Sequence, residues 1–152
     1  MIVYRLSKSY FSEDLTGKGA EMYGGRWNSK GRALLYTSES RALSITEIAV
    51  HIPLGIVPVD YCMSSIIIPD EVLIKEIRLS ELALDWRTYP YSESTQLLGD
   101  EFIRQGEALV LKVPSAVVPG EYNYLINPAH SGFQKISILK IEPFVFDQRL
   151  FK

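Results

Sequence analysis

Two short strand-like segments near the start of the sequence are separated by a long stretch with neither helical nor strand periodicity. The segments Ile2 to Leu6 and Ala33 to Thr37 are each predicted to be a strand. About 25 residues rich in Gly, Ser and Lys lie between them, and a loop of that length in a compact domain is usually functional or disordered. Four aromatic residues lie within it: Tyr10, Phe11, Tyr23 and Trp27. These rings favour an ordered loop with a function.

The rest of the sequence predicts two helices and several more strands. Ser40 is a suitable N-cap for a helix to about Ile52, where apolar residues recur at helical spacing and Pro53 follows. A weaker helix is predicted over Ser92 to Gln105, ended by Gly106. Strands are predicted over Tyr61 to Ile68, Val72 to Leu79, Ala108 to Val113, Lys135 to Ile141 and Phe144 to Phe146. The stretch from Glu121 to His130 is interpreted as a polar turn.

This order of elements predicts one sheet-rich α+β domain with a few helices, over residues 1–152. Helices and strands alternate too irregularly for a doubly wound sheet. The glycine-rich fingerprints of dinucleotide-binding and phosphate-binding loops are also absent from the sequence.

Composition excludes several classes of function. Cys62 is the only cysteine and there are two histidines, so we expect no internal disulfide and no structural metal site. The net charge of -2 argues against direct binding of nucleic acid. Residues 1–32 nevertheless carry six cations against three anions, which suits a small anionic ligand. The residues after Met1 do not resemble a signal peptide and no run approaches ~18 apolar residues, so we expect a cytoplasmic protein without a membrane span.

Arg26 follows two glycines in the long loop. Gly24 and Gly25 allow a sharp turn or a close approach of backbone to a ligand, and the guanidinium can bind a phosphate or carboxylate through two donors. Alternatively, Arg26 stacks on Trp27 or pairs with Glu21.

Glu47 lies on an apolar face of the helix predicted from Ser40. Its neighbours one turn away are Leu43 and Val50, and a carboxylate on such a face needs a partner or a function. His51 is one candidate partner, and a ligand-binding cleft is the other explanation.

Ser115 and Asn127 each follow a strand-like run. Ser115 lies outside the nucleophile-elbow motif of serine hydrolases, and such a serine more often caps a turn. Asn127 precedes Pro128, where an asparagine side chain commonly bonds its own backbone.

In this order, the motifs resemble the RES domain, a bacterial toxin family named for an arginine, a glutamate and a serine. The matching segments are Gly25-Arg26-Trp27-Asn28 followed by Gly31, Tyr36-Thr37-Ser38, Glu47 with His51, Val113-Pro114-Ser115, Asn123 to His130, and Phe144 to Leu150. The resemblance covers essentially the whole chain. Each motif is weak alone, and the ordered set is specific.

The resemblance implies a fold similar to that of ADP-ribosyltransferases and an enzyme that degrades NAD by hydrolysis or phosphorolysis. NAD would be the substrate, with no other cofactor. It also implies an antitoxin with a Xre-like helix-turn-helix part that blocks the cleft, in a complex that can hold more than one toxin copy. The family's arginine, tyrosine, glutamate and serine correspond to Arg26, Tyr36, Glu47 and Ser115. Ser38 and Asn127 join Arg26, Tyr36 and Ser115 as expected substrate-binding residues.

The chemistry of NAD explains why one carboxylate would suffice. The nicotinamide nitrogen is cationic in NAD and leaves as a neutral group, so Glu47 need only stabilise the positive charge that develops on the ribose. Arg26 would bind the diphosphate, and Ser115 would bind the ligand or hold Glu47 in place. Tyr36 would offer its ring to nicotinamide or its hydroxyl to the ribose, unless it only packs a strand.

Two other functions remain open at the level of sequence. One is an ADP-ribosyltransferase that modifies a cellular macromolecule, although the Glu-x-Glu pair of the arginine-directed enzymes is absent. The other is a non-catalytic module that binds a nucleotide or a partner helix.

Overall fold

Every strand of the chain belongs to one sheet. The computed structural model describes all 152 residues. The strands are β1 (Ile2–Lys8), β2 (Leu35–Ser38), β3 (Tyr61–Ile67), β4 (Ile74–Glu76), β5 (Val110–Pro114), β6 (Tyr122–Ile126) and β7 (Ser137–Phe144). They are ordered β4-β5-β6-β2-β1-β3-β7, and only the β4–β5 pair is parallel. The three α-helices are α1 (Lys18–Tyr23), α2 (Arg41–Ala49) and α3 (Glu93–Gln105). The predicted α+β class is confirmed.

Both faces of the sheet are covered. Leu125 and Ile126 are adjacent in β6 yet belong to different buried clusters, because successive side chains of a strand point to opposite faces. Leu125 packs with Trp27 and with Phe102 of α3, and Ile126 packs with Val3 of β1. None of the helices has the length and apolar character that a bilayer crossing requires.

The two capped helices form close to where their sequences predict them. Ser40 Oγ accepts a hydrogen bond from Leu43 N (3.0 Å), which starts α2. The α-helix ends at Ala49 rather than Ile52, because the last turn tightens: His51 N and Ile52 N bond to carbonyls three residues back. Ser92 caps α3, and Gly106 ends it with a φ of 61°.

Three predicted elements differ from the structure. The separate strand expected over Phe144 to Phe146 does not form, because β7 ends at Phe144 and Val145 and Phe146 lie outside any strand. Residues Glu121 to His130 were expected to be a polar turn, but Tyr122–Ile126 is β6, paired on both sides with β5 and β2. The polar residue Asn123 obscures this strand in the sequence, because its side-chain partners are Ser38 of β2 and Glu47 of α2. The strand expected over Val72 to Leu79 is only β4, Ile74–Glu76.

The long loop between β1 and β2 is ordered and contains α1. It is held against α3, because Asp100 accepts hydrogen bonds from Ser29 N (2.9 Å) and Ser29 Oγ (2.5 Å). Gly99 permits this contact: a Cβ at that position would lie 1.6 Å from the carbonyl oxygen of Trp27. Asn28 is fully buried and donates to the carbonyls of Ala20 and Arg32, which closes the loop on itself.

Strands β1 and β2 diverge almost immediately. They share a single residue pair, Tyr4 with Ser38, whereas β1 is paired with β3 along its whole length. The gap that opens between the two strands positions the candidate site.

Candidate active site

A cavity of about 570 Å³ lies in the gap between β1 and β2. Its two walls are residues 4–7 of β1 and 34–38, which include β2, with residues of the long loop and α2 completing it. The closed end lies where Tyr4 pairs with Ser38, and there Glu47 of α2 and Asn123 of β6 line the cavity. The volume is in the range of small-molecule binding pockets.

Glu47 is half-buried, and its two carboxylate oxygens have different surroundings. Oε1 accepts hydrogen bonds from Ser115 Oγ and from Asn123 Nδ2, both at 2.7 Å. Oε2 accepts none from the protein. The only buried side-chain oxygen or nitrogen without a hydrogen-bond partner is Ser7 Oγ. Since Glu47 Oε2 has no protein partner either, it is not buried, and it is accessible from the cavity that Glu47 lines. His51, the partner considered from sequence, is exposed and makes no bond to Glu47.

Ser115 is positioned to hold Glu47. Its side chain is 1% exposed, and Oγ accepts hydrogen bonds from Val117 N (3.1 Å) and Val118 N (3.0 Å). A hydroxyl has two lone pairs and one hydrogen, so with both lone pairs engaged the hydrogen must point to Glu47 Oε1. This arrangement leaves Ser115 no free lone pair with which to act as a nucleophile.

Asn123 is a site residue that the sequence interpretation did not single out. It pairs with Ser38 across β2 and β6, and Ser38 Oγ donates to Asn123 Oδ1 (2.7 Å). Because the amide oxygen is occupied in this way, the amide nitrogen is directed at Glu47. Ser38 therefore acts on the carboxylate through Asn123. The signal in the sequence was a polar residue inside an aromatic and aliphatic run.

Arg26 lies near Glu47 but not on the cavity wall. Its Nη1 donates to the carbonyls of Trp86 (2.7 Å) and Thr88 (3.0 Å), and the guanidinium lies 5.2 Å from the centre of the Tyr91 ring. Burial lowers the pKa of Arg26, and the side chains of Tyr91 and Glu47 act in the opposite direction. Neither Trp27 nor Glu21 is its partner. Nε and Nη2 remain free of protein acceptors, so the expected contact with a diphosphate stays a prediction.

Tyr36 lines the cavity with a hydroxyl that is already engaged. The hydroxyl donates to Asn28 Oδ1 (2.7 Å) and accepts from Trp27 N (3.0 Å). Burial is the main reason that the pKa of Tyr36 is raised, so this hydroxyl keeps its proton. The part of Tyr36 left for a ligand is its ring.

Arg5 is one of the six cations of residues 1–32, and it lies on the cavity wall, although no motif in the sequence singled it out. It lies on β1 and its Nη1 donates to the Phe11 carbonyl (2.8 Å). Burial lowers its pKa, and Asp14, also on the cavity wall, opposes that effect. Together with exposed Lys18, Arg5 gives the cavity positive charge away from Glu47.

Asn127 does not join the other predicted site residues. It follows β6, at the opposite end from Asn123 and about 13 Å away along the strand. Its side chain is 1% exposed and accepts a hydrogen bond from Ala129 N (3.0 Å). The residue closes a turn before Pro128 and is not among the residues that line the cavity, so its expected contact with substrate stays a prediction.

Comparisons with known proteins agree with this architecture. A protein of Sphingobium sp. (strain YBL2) named Prs ADP-ribosylating toxin is 35% identical over 148 residues, covering 96% of this chain and 92% of its own. A Photorhabdus laumondii protein named Toxin Res is 36% identical, covering 100% and 98%. The Yersinia enterocolitica Toxin Res is also 36% identical, covering 99% of each chain.

The fold is also known from a solved structure. The crystal structure of the M. tuberculosis MbcT–MbcA toxin–antitoxin complex contains a chain that superposes with a TM-score of 0.75 at 18% identity, covering 99% of this chain and 86% of that one. The shared fold is ADP-ribosyltransferase-like. The RES domain model matches residues 2–147. The chain therefore belongs to the RES domain family.

Proposed function

We propose that this protein is the toxin of a toxin–antitoxin pair and that it cleaves the bond between nicotinamide and ribose in NAD. The observation that carries the proposal is the state of Glu47: one oxygen is held by two donors and the other is free at the closed end of a cavity with cations further along its walls. The names of the relatives, Toxin Res and Prs ADP-ribosylating toxin, support a toxin that acts on NAD.

The free oxygen of Glu47 would face the ribose carbon that bears nicotinamide. As the C–N bond breaks, its electrons pass to the nicotinamide ring, which leaves neutral, and positive charge develops on the ribose. A carboxylate held beside that carbon stabilises this charge more than it stabilises the ground state. Water or phosphate then attacks the same carbon, and when water attacks, its proton passes to Glu47 Oε2 or to solvent.

Ser115 and Asn123 would contribute by restricting the carboxylate. Two hydrogen bonds to Oε1 fix the rotation of the Glu47 side chain, so that the second oxygen needs no reorganisation in the transition state. The Tyr36 ring lies on the same wall, where it can pack against the departing nicotinamide.

Two arginines are candidates for the diphosphate. Arg5 lines the cavity and has donors beyond its bond to Phe11, and Arg26 has Nε and Nη2 available. An arginine matches phosphate oxygens with paired donors, and partial burial strengthens that attraction. Arg5 is the stronger candidate, because it lies on the wall itself.

Transfer of ADP-ribose to a cellular protein is a second candidate, favoured by the name of the Sphingobium relative. The first step would be the same, with an acceptor side chain in place of water or phosphate. Purified protein, NAD labelled in the adenylate half and cell extract would distinguish the two. Label recovered as free ADP-ribose or its phosphate supports NAD degradation, and label on a protein supports transfer. If no nicotinamide is released, the protein is a non-catalytic binding module.

The proposed partner is an antitoxin with a Xre-like helix-turn-helix part. The solved structure of similar fold is a toxin–antitoxin complex, which supports a protein partner here. If the antitoxin covers the cavity, adding it to the purified enzyme should stop NAD consumption and protect residues of the long loop from proteolysis. Uninhibited turnover in a stable complex would contradict this arrangement.

A further inference from the structure

The open end of the cavity is apolar and exposed. Phe11, Met22 and Tyr23 all line the cavity, yet they are 48%, 57% and 75% exposed. None of the three packs into a buried cluster of the protein. We call these three residues the rim. Large apolar side chains that converge at the mouth of a pocket without contributing to a core are typical of a ligand contact.

The positions of the strands give the cavity a direction. Glu47 and Asn123 lie at its closed end, where Tyr4 pairs with Ser38 and Ser44 Oγ donates to the Tyr4 carbonyl (3.1 Å). The rim lies at the other end, because Phe11 follows β1 and Met22 and Tyr23 lie on α1.

Arg5 lies between these two ends. It belongs to β1 one residue beyond Tyr4, and its guanidinium reaches the carbonyl of Phe11 (2.8 Å). The cavity therefore presents a carboxylate, then a cation, then aromatic rings. A dinucleotide presents, in the same order, the ribose that carries nicotinamide, the diphosphate, and a second ribose with its purine.

We propose that the rim binds the purine base of the dinucleotide, with Phe11 and Tyr23 stacking on it and Met22 filling the remaining contact. This subsite rests on the proposed action on NAD and specifies which end of the molecule lies where. Stacking on an aromatic side chain is tolerant of base identity, because every base has a flat face. The rim therefore provides affinity for the purine nucleotide half and leaves the bond cleavage to the closed end.

The test uses AMP, which carries the purine and one phosphate and lacks nicotinamide. Calorimetric binding of AMP and the kinetics of NAD consumption are measured for wild type, Phe11→Ala and Tyr23→Ala. The matched control is Leu139→Ala, because Leu139 is also a large exposed apolar side chain and lies on β7, outside the cavity wall. Each rim variant should weaken AMP binding and raise KM for NAD about tenfold or more, with kcat within about threefold, and Leu139→Ala should change neither.

Several results would overturn the subsite. The subsite is wrong if the wild type does not bind AMP, or if the rim variants bind AMP as tightly as the wild type does. It is also wrong if the rim variants lower kcat at unchanged KM, or if their only defect is weaker binding of the antitoxin. If instead the wild type consumes no NAD while AMP binding still depends on the rim, the proposed reaction fails and the purine subsite stands. The two proposals can therefore fail separately.

Discussion

Ser115 donates its only hydroxyl hydrogen to Glu47 across 2.7 Å. Two backbone N–H groups occupy the lone pairs of the same hydroxyl, so its direction is set by the turn that follows β5. The carboxylate is thus positioned by a residue that is almost completely buried and does not itself need to touch substrate.

Ser115→Ala should lower kcat for NAD about 10- to 100-fold with KM changed by less than about threefold, because a hydrogen bond to a charged group contributes about 1.5–3 kcal/mol. Steady-state kinetics measure the split. Ser137→Ala, at an exposed serine of β7, is the control and should match wild type. An unchanged kcat in Ser115→Ala would show that Glu47 does not need this hydroxyl.

Asn123 can be tested by two replacements, one that removes the amide group and one that keeps its size. Asn123→Ala removes the donor to Glu47, and Asn123→Asp replaces it with a second carboxylate next to the first. We expect kcat to fall in the order wild type, Asn123→Ala, Asn123→Asp, with the last at least about 100-fold below wild type, since two like charges in contact repel. Equal activity of the Asp and Asn proteins would rule out the positioning role.

The Tyr36 hydroxyl should matter for stability more than for chemistry. Tyr36→Phe leaves Asn28 Oδ1 and Trp27 N without their partner, so the free energy of unfolding should fall by about 1–3 kcal/mol. Because the ring stays on the cavity wall, kcat should stay within about tenfold of wild type, whereas Tyr36→Ala should lose more. Urea unfolding and kinetics on the same samples check both. A kcat loss of about 100-fold or more at unchanged stability would assign the hydroxyl to the ligand.

Gly99 should be essential for seating the long loop on α3. In Gly99→Ala the new methyl would overlap the Trp27 carbonyl, so helix and loop must separate, and we expect at least about 2 kcal/mol of destabilisation. Gly19→Ala is the matched control, because a Cβ there meets nothing within 4 Å in helix α1. It should be neutral or stabilising by up to about 1 kcal/mol. Similar melting temperatures for the two variants would contradict the proposed contact.

Local signals in the sequence were enough to predict the helix that carries Glu47. The cap at Ser40 predicts α2, and the apolar neighbours of Glu47 indicate a carboxylate with a special environment. Both signals involve residues within two turns of each other. The same is true of α3, because the cap at Ser92 and the glycine at position 106 correctly predict where this helix begins and ends.

Features that depend on distant contacts were not predictable in this way. The sequence alone predicts Asn123 to be a turn residue, because its hydrogen-bond partners Ser38 and Glu47 are far away in the sequence. Arg5 becomes a cavity residue only because β1 and β2 diverge after a single pair. The acceptors of Arg26 are the carbonyls of two residues that lie 60 and 62 positions further along the chain, which no local pattern reveals.

The most direct measurement is NAD consumption by Glu47→Gln. The glutamine oxygen can still accept from Ser115 and Asn123, while its amide nitrogen replaces the free carboxylate oxygen in the cavity. The variant should fold as wild type does and release nicotinamide at least about 100-fold more slowly. Release at the wild-type rate by the folded variant would contradict the assignment of Glu47 as the group that stabilises the reacting ribose.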